Sequence, residues 1–234
     1  HLMSIRYAFK RSLPVMAGYL VLGMGFGILL EAKGYSAVWA FFMSVFIYAG
    51  SMQYVAVDLL AGGASLISAA LMTLMVNARH LFYGISMINR YKDMGKKKPY
   101  LVFALTDETY SLVCGGEVPQ GVDQKKYFFW VSLMNQSYWI IGSTAGALIG
   151  SHLSFNTEGI DFSMTALFIV VFIEQWKGTK NHLSAVIGVA ASVICLLLFG
   201  ADGFLIPSML AITAALTVLR KILDKKEEGE KKNG

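Results

Sequence analysis

Charge is confined to a few short stretches of this chain, and that confinement limits its fold more than any other feature. Of the 35 charged residues, 23 lie in four clusters, at residues 6–11, 90–98, 117–126 and 220–232. The stretches between them are long, apolar and nearly neutral. A helix rises 1.5 Å per residue, so about 17 to 25 apolar residues span the ~30 Å hydrocarbon core of a bilayer. Composition agrees. The 234 residues are 56% hydrophobic and 15% charged, with a mean hydropathy of +0.56, whereas soluble domains carry about 25% charged residues. A water-soluble globular domain is excluded, and the chain reads as a polytopic membrane protein.

Eight apolar segments can be drawn, at residues 14–30, 38–60, 64–88, 99–114, 127–150, 162–176, 183–199 and 204–223. Lipid-exposed backbone must satisfy its own hydrogen bonds, and the ten-residue alternation of a barrel strand is absent, so the segments are expected to be helices. His1 and Leu2 precede Met3, which reads as the initiator, and are taken as a cloning remnant. Residues 3–223 then form one transmembrane domain. Residues 224–234, charged and without apolar anchors, are expected to be a disordered tail.

The net charge of +5 would suggest nucleic acid if basic residues formed a face with interleaved aromatics. Here they flank apolar segments and act as topology determinants, because Lys and Arg favour the cytoplasmic side. No nucleic-acid partner is expected. The basic N-terminus, residues 90–98 and the C-terminal tail should therefore share the cytoplasmic side. Three apolar segments separate the N-terminus from residue 90, yet two loops on one side require an even number of crossings. The same parity problem recurs across residues 99–114, a short segment with Asp107 and Glu108 at its middle. Making residues 38–60 and 99–114 re-entrant repairs both halves. The expected architecture is an all-α bundle of about six crossings plus two broken or re-entrant segments entering from opposite faces, with both termini inside. Eight full spans is the alternative, and it strands five positive residues of the 90–98 loop outside.

Gly23 and Gly27, and Gly142, Gly146 and Gly150, have the small-xxx-small spacing that lets two membrane helices approach closely. Cys114 and Cys195 sit in apolar stretches without a Cys or His at zinc-ligand spacing, so they read as apolar fillers; no metal or cofactor is expected.

Ionisable residues within apolar segments cost ~2.5 to 3.5 kcal/mol each at a helix centre and mark function or pairing. Asp58 and Glu174 lie near segment ends, where interface solvation accounts for them. Arg79, His80, Asp107 and Glu108 lie deeper. An unpaired carboxylate in low dielectric would neutralise, so Asp107 and Glu108 are natural partners for Arg79. Such a pair either fixes two helices structurally or lines a solute path, with His80 or a carboxylate exchanging a proton. Gly50 and Ser51 sit mid-segment in Tyr48-Ala49-Gly50-Ser51-Met52-Gln53-Tyr54, a Gly-Ser pair of the kind that interrupts helices. A broken membrane helix exposes free N–H and C=O groups and is tolerated only where it lines a cavity or is buried in protein. Half-helix N-termini suit a carboxylate, and freed carbonyls or acidic groups suit an ammonium, a pairing that describes a zwitterionic amino acid. Gly50, Ser51, Gln53, Asn77, Arg79, Asn135 and Gln136 are accordingly the candidate substrate-binding residues; His80, Asp107 and Glu108 are the candidates for proton coupling or ion pairing. An intramembrane hydrolase is disfavoured, since Asp107 and Glu108 point about 100° apart on a helix and no metal-ligand or Ser-His spacing appears. A channel, or a scaffold subunit whose partner carries the transport site, is the remaining rival.

The residues that carry these features resemble a known family. Residues 48–54, Asn77-Ala78-Arg79-His80-Leu81-Phe82-Tyr83-Gly84 and Thr106-Asp107-Glu108-Thr109-Tyr110 resemble the F-A-G-S-x-Q-F, N-x-R-H-x-L-Y-G and D-E-x-[FY] elements of the AzlC-type permeases, with Phe82 where an aliphatic residue is usual. The resemblance runs from Met3 to about Leu223. It implies a bacterial cytoplasmic-membrane protein that exports branched-chain amino acids (leucine, isoleucine, valine), driven by the proton gradient. It also implies a small hydrophobic AzlD-type membrane subunit as partner.

Overall fold

A computed structural model gives the fold. It describes residues 2–77, 79–115, 118–152, 162, 165–166, 169, 172–173, 176, 182–204, 207–208 and 210–219, and it leaves the side chains of Arg79 and a few other helical residues undescribed. Every regular element among them is helical. The chain divides into two compact units, residues 1–165 and 166–234.

The first unit is built on two long helices, α1 (Leu2–Ala32) and α8 (Gln124–His152). At 31 and 29 residues they are each about 45 Å long, enough to cross a bilayer with turns to spare. Their contacts keep one register. The backbone N–H of Asp123 donates to Ser4 Oγ at 3.1 Å, Ser12 Oγ lies 3.2 Å from the Tyr138 hydroxyl, and Gly23 lies against Gly142 and Ser143. Farther on, Gly146 lies against Met24, and Gly150 against Ile28. The two helices therefore run parallel. A Cβ on Gly27 would collide with the backbone of Ser143 and Ala147, so the expected small-residue seam is what brings the helices together.

Two interrupted segments fill the space beside this pair. In the first, α2 (Ala37–Phe46) and α3 (Gly50–Ala61) are separated by residues 47–49, where Tyr48 adopts a left-handed φ of 42° that is rare for a side chain of this size. The interruption falls just before the Gly-Ser pair, and Gly50 opens the new helix. Ser44 and Gln53 would stand about 13 Å apart along one continuous helix, yet Gln53 Nε2 donates to Ser44 Oγ at 3.3 Å, so the chain folds back. In the second, α6 (Lys98–Phe103) and α7 (Asp107–Val113) are separated by residues 104–106. Its contacts climb along α8 and return. The Lys97 ammonium sits over the Phe129 ring, Tyr100 reaches Gln136, Thr109 bonds Asn135, and Leu112 O accepts from Tyr127.

Apolar burial forms two clusters. One gathers Leu29, Leu30, Ala40, Tyr54, Val57 and Ala147. The other gathers Ala8, Met87, Tyr91, Leu101, Val113 and Tyr127. α2 and α3 thus pack mainly with the Leu29/Ala147 part of the α1/α8 pair, and α6 and α7 mainly with the Ala8/Tyr127 part.

The third apolar segment carries α4 (Leu66–Asn77) and α5 (Arg79–Met87), the described stretches on either side of residue 78. α4 is exposed along most of its length, Leu66 at 89% and Ile67 at 74%, as an apolar helix in lipid would be.

In the second unit, α9 (Leu183–Gly203) is apolar and exposed, Leu197 at 80%, and it kinks at Gly200, whose φ of 73° suits glycine alone. α10 (Leu210–Leu219) is a shorter apolar helix. Among the described residues Leu2–Ala32 and Leu183–Gly200 are long and apolar enough to cross a membrane. Glu174 and residues 220–234 lie outside the described residues.

Candidate functional site

The polar residues of α8 organise both helix breaks. Asn135, Gln136 and Trp139 lie within one turn and are all buried. Gln136 Nε2 donates to Val45 O at 3.1 Å, a carbonyl in the last turn of α2 that the break deprives of a helical partner. Its Oε1 accepts from the Tyr100 hydroxyl of α6 at 2.9 Å. One amide therefore ties the first interruption to the second. Three residues on, Trp139 Nε1 donates to Gln53 Oε1 at 2.9 Å, and Gly50 lies against the indole, where a Cβ would come within 3.2 Å of the ring. Ser51 is buried beside them.

At the second break, Thr106 caps α7 by accepting from the N–H of Thr109 at 3.3 Å. Thr106 Oγ1 donates to Thr109 Oγ1 at 3.0 Å, which also accepts from Asn135 Nδ2 at 3.0 Å. Asp107 and Glu108 stand in the first turn of α7, where the helix dipole favours negative charge. The Tyr19 hydroxyl of α1 donates to Glu108 Oε2 at 2.6 Å and lies 2.7 Å from Thr106 Oγ1.

The structure thus brings Gly50, Ser51, Gln53, Asn135, Gln136 and Glu108 to the two breaks along α8. Asn77 is the last residue of α4 and His80 lies in the first turn of α5, with His80 Nδ1 3.2 Å from Asn77 O. α5 packs on α7 through Tyr83, stacked on Tyr110 at 4.4 Å between ring centroids. The Arg79 side chain, and with it the expected pairing to Asp107 or Glu108, lies outside the described residues. Buried acceptors remain: among the described residues the Asn135 Oδ1 and Asn77 Oδ1 oxygens have no hydrogen-bond partner. Each is a polar atom on offer to a solute. Among the described residues no three His, Cys, Asp or Glu side chains are grouped to hold a metal.

The sequence reading missed Tyr19, Tyr100, Trp139 and the Thr106/Thr109 cap. The two threonines carried a signal, since Thr106-Asp107-Glu108 is a helix-start pattern. The aromatics carried none, being indistinguishable from apolar lining until their partners are known.

The ends of these helices are secured where charge resumes. Arg90 Nη1 donates to Val113 O at 3.0 Å and Tyr127 to Leu112 O at 3.0 Å, closing off α7. Asp123 Oδ1 accepts from the N–H groups of Lys125 and Lys126 at 3.0 and 3.2 Å, capping α8. The Lys126 N–H, with its ammonium, holds the Asp123 carboxyl below the usual carboxylate range.

Helices of membrane-spanning length, exposed apolar flanks and two interrupted helices held by buried amides define an all-helical membrane protein. Residues 14–153 match the model of the AzlC protein family. The chain is 50% identical to the branched-chain amino acid transport protein AzlC of Bacillus subtilis, covering 96% of this chain and 88% of that one. It is 46% identical to an uncharacterized membrane protein of Helicobacter pylori (95% and 98% covered) and 29% identical to the inner membrane protein YgaZ of Escherichia coli (79% of each). No solved structure matches. The chain belongs to the AzlC family.

Proposed function

We propose that the protein exports branched-chain amino acids, leucine, isoleucine, valine and also methionine, across the bacterial cytoplasmic membrane. Export is coupled to protons and proceeds together with a small hydrophobic AzlD-type subunit. The observation that carries this reading is the pair of helix breaks facing one polar stripe of α8, because interrupted membrane helices supply the N–H and C=O groups that a zwitterionic head requires. The name of the Bacillus subtilis relative supports the substrate class.

In this reading Gly50, Ser51, Gln53, Asn77, Arg79, Asn135 and Gln136 bind the head group. Arg79 pairs with the Asp107/Glu108 carboxylates, and His80 with these carboxylates supplies the proton path. The α2/α3 and α6/α7 hairpins are re-entrant from opposite faces, which leaves six crossings with both termini cytoplasmic. Removing one partner of a buried ion pair costs ~3 to 5 kcal/mol, and removing both costs less. Arg79→Gln and Asp107→Asn losses in thermal stability or flux should therefore be non-additive; additivity for this pair and for Glu108→Gln alike would give Arg79 another partner.

The substrate assignment is tested by competition against labelled leucine flux in proteoliposomes containing the chain and its small partner. An apolar pocket gains only ~1 to 3 kcal/mol per methylene, so isoleucine, valine and methionine should compete within about two orders of magnitude. Lysine and glutamate, whose side-chain charge would be buried unpaired, should not. Strong inhibition by either charged amino acid, or none by valine, would overturn the assignment. Flux by the small subunit alone would make this chain a scaffold.

A further inference from the structure

A buried polar atom without a partner is costly, and along one face of α8 such atoms fall in a row. Ser132 is 0% exposed, and its hydroxyl has no hydrogen-bond partner among the described residues. Ser137 and Ser143 on the same helix donate to the carbonyls four residues back, Leu133 O and Trp139 O, each at 2.7 Å. Ser132 does not spend its proton this way. Three residues on, Asn135 is equally buried, and its Nδ2 donates to Thr109 while Oδ1 is left without a donor. In the other direction Phe128 meets Tyr91 edge-on, at 5.7 Å between ring centroids, and the hydroxyl of Tyr91, a residue 1% exposed, is again unpartnered among the described residues. One helix turn separates Phe128 from Ser132 and another separates Ser132 from Asn135, so the row extends over about 10 Å of α8.

Tyr91 belongs to the loop at residues 90–98, where charge resumes, and Asn135 belongs to the second helix break. The row therefore leads from the charged end of the first unit to the site. We propose that Tyr91 and Ser132 line an access path for water and the zwitterionic solute between that end and Asn135. The inference rests on the transport reading above and deepens it, adding two residues to those that meet the head group. Each hydroxyl can donate to a carboxylate or to water and accept from an ammonium, so the groups left dry by packing are satisfied when the path fills.

What closes the path in this structure is apolar and adaptable. Tyr91 sits on a turn between two methionines: its N–H donates to Met87 O at 2.9 Å, and the Met94 N–H donates to Tyr91 O at 3.3 Å. Met87 and Met94 are buried with Leu101 of α6 in the same cluster as Tyr91 and Phe128. Unbranched methionine side chains change rotamer readily, so this plug can part without a rebuilt backbone. A permanent core would carry apolar or internally bonded groups at positions 91 and 132.

The experiment is thiol labelling of the full-length protein in sealed membrane vesicles of both orientations, with Cys114 and Cys195 replaced. Lys97→Cys marks the charged end. A small, charged, impermeant methanethiosulfonate should modify Ser132→Cys from the side that exposes Lys97→Cys, and at least ten times faster than Leu30→Cys, a position buried in the other apolar cluster. Modification from the opposite side only, or no faster than at Leu30→Cys, would overturn the proposal. Ser132→Ala and Tyr91→Phe remove hydroxyls that packing leaves unsatisfied, so both should melt no lower than wild type while leucine flux falls at least fivefold. Lower melting temperatures would reveal structural hydroxyls, and unchanged flux idle ones; either refutes the path. Hydroxyl-radical footprinting of the wild-type protein in lipid keeps the test valid if the cysteine variant misfolds: Tyr91 should be oxidised faster than Tyr54, whose hydroxyl donates to Leu22 O, and equal or slower oxidation counts against the path. Absence of leucine flux in the wild type would strike the transport reading instead, leaving the path to stand or fall on labelling and footprinting.

Discussion

Gln136 occupies the point where two interrupted helices would otherwise leave polar groups dry. It is nearly fully buried, and its two amide atoms serve Val45 O and the Tyr100 hydroxyl. A leucine of similar volume would strand both, at about 1 to 3 kcal/mol for each unsatisfied group. Gln136→Leu should therefore lower thermal stability in detergent markedly, with Gln136→Glu intermediate because it keeps the acceptor for Tyr100; an unchanged melting temperature for the leucine variant would refute the role. Asp123 acts differently, as an exposed cap. Its carboxyl titrates below the ordinary range in the folded protein, so its contribution is present above that range and disappears as pH falls through the folded value. Asp123→Ala should melt below wild type at neutral pH, and the two curves should converge in acid. At this scale the sequence revealed the amides and acids, because polar atoms stand out in apolar runs. It concealed Tyr19, Tyr100 and Trp139, whose ring is apolar and whose single polar atom acquires meaning only from a partner far along the chain.

Among the elements, the α1/α8 seam is the most exacting. An alanine at position 27 would place its Cβ 2.5 Å from the backbone nitrogen of Ala147, and backbone cannot step aside as a side chain can. Gly18, on the same helix, has nothing within 4 Å of a Cβ. Gly27→Ala is predicted to destabilise the protein by at least the ~1 to 3 kcal/mol typical of overpacking, whereas Gly18→Ala should be neutral; melting temperatures of the two variants decide it. Glycine spacing was readable from the sequence because close helix contact demands small residues at fixed intervals. The breaks were readable only in part. Polar or Gly-Ser residues amid apolar ones announced them, but the first falls at residues 47–49, ahead of Gly50, where Gln136, remote in sequence, takes up the Val45 carbonyl.

Across the whole first unit, charge gathers at one end. Met3 and Ser4 meet Gly121 and Asp123, Tyr7 packs on Tyr127 at 5.1 Å, and Tyr91 packs on Phe128 at 5.7 Å. The basic N-terminus, the 90–98 loop and residues 118–126 are therefore neighbours in space. If that end is cytoplasmic, single cysteines at positions 97 and 125, introduced with Cys114 and Cys195 replaced, should resist an impermeant thiol reagent in intact cells and react once the cells are opened. Labelling of position 97 from outside would restore the eight-span alternative.

The parallel seam also sets a clock on biogenesis. Ser4 and Asp123 are 119 residues apart in sequence, and the glycine contacts that follow are separated by a similar length. At about 5 to 20 residues per second, the ribosome needs on the order of ten seconds between delivering α1 and completing its partner. During that interval the glycine face of α1 has only lipid or the insertion machinery against it. The native bundle cannot condense helix by helix as it leaves the ribosome. It must wait for its eighth helix, and then close around it.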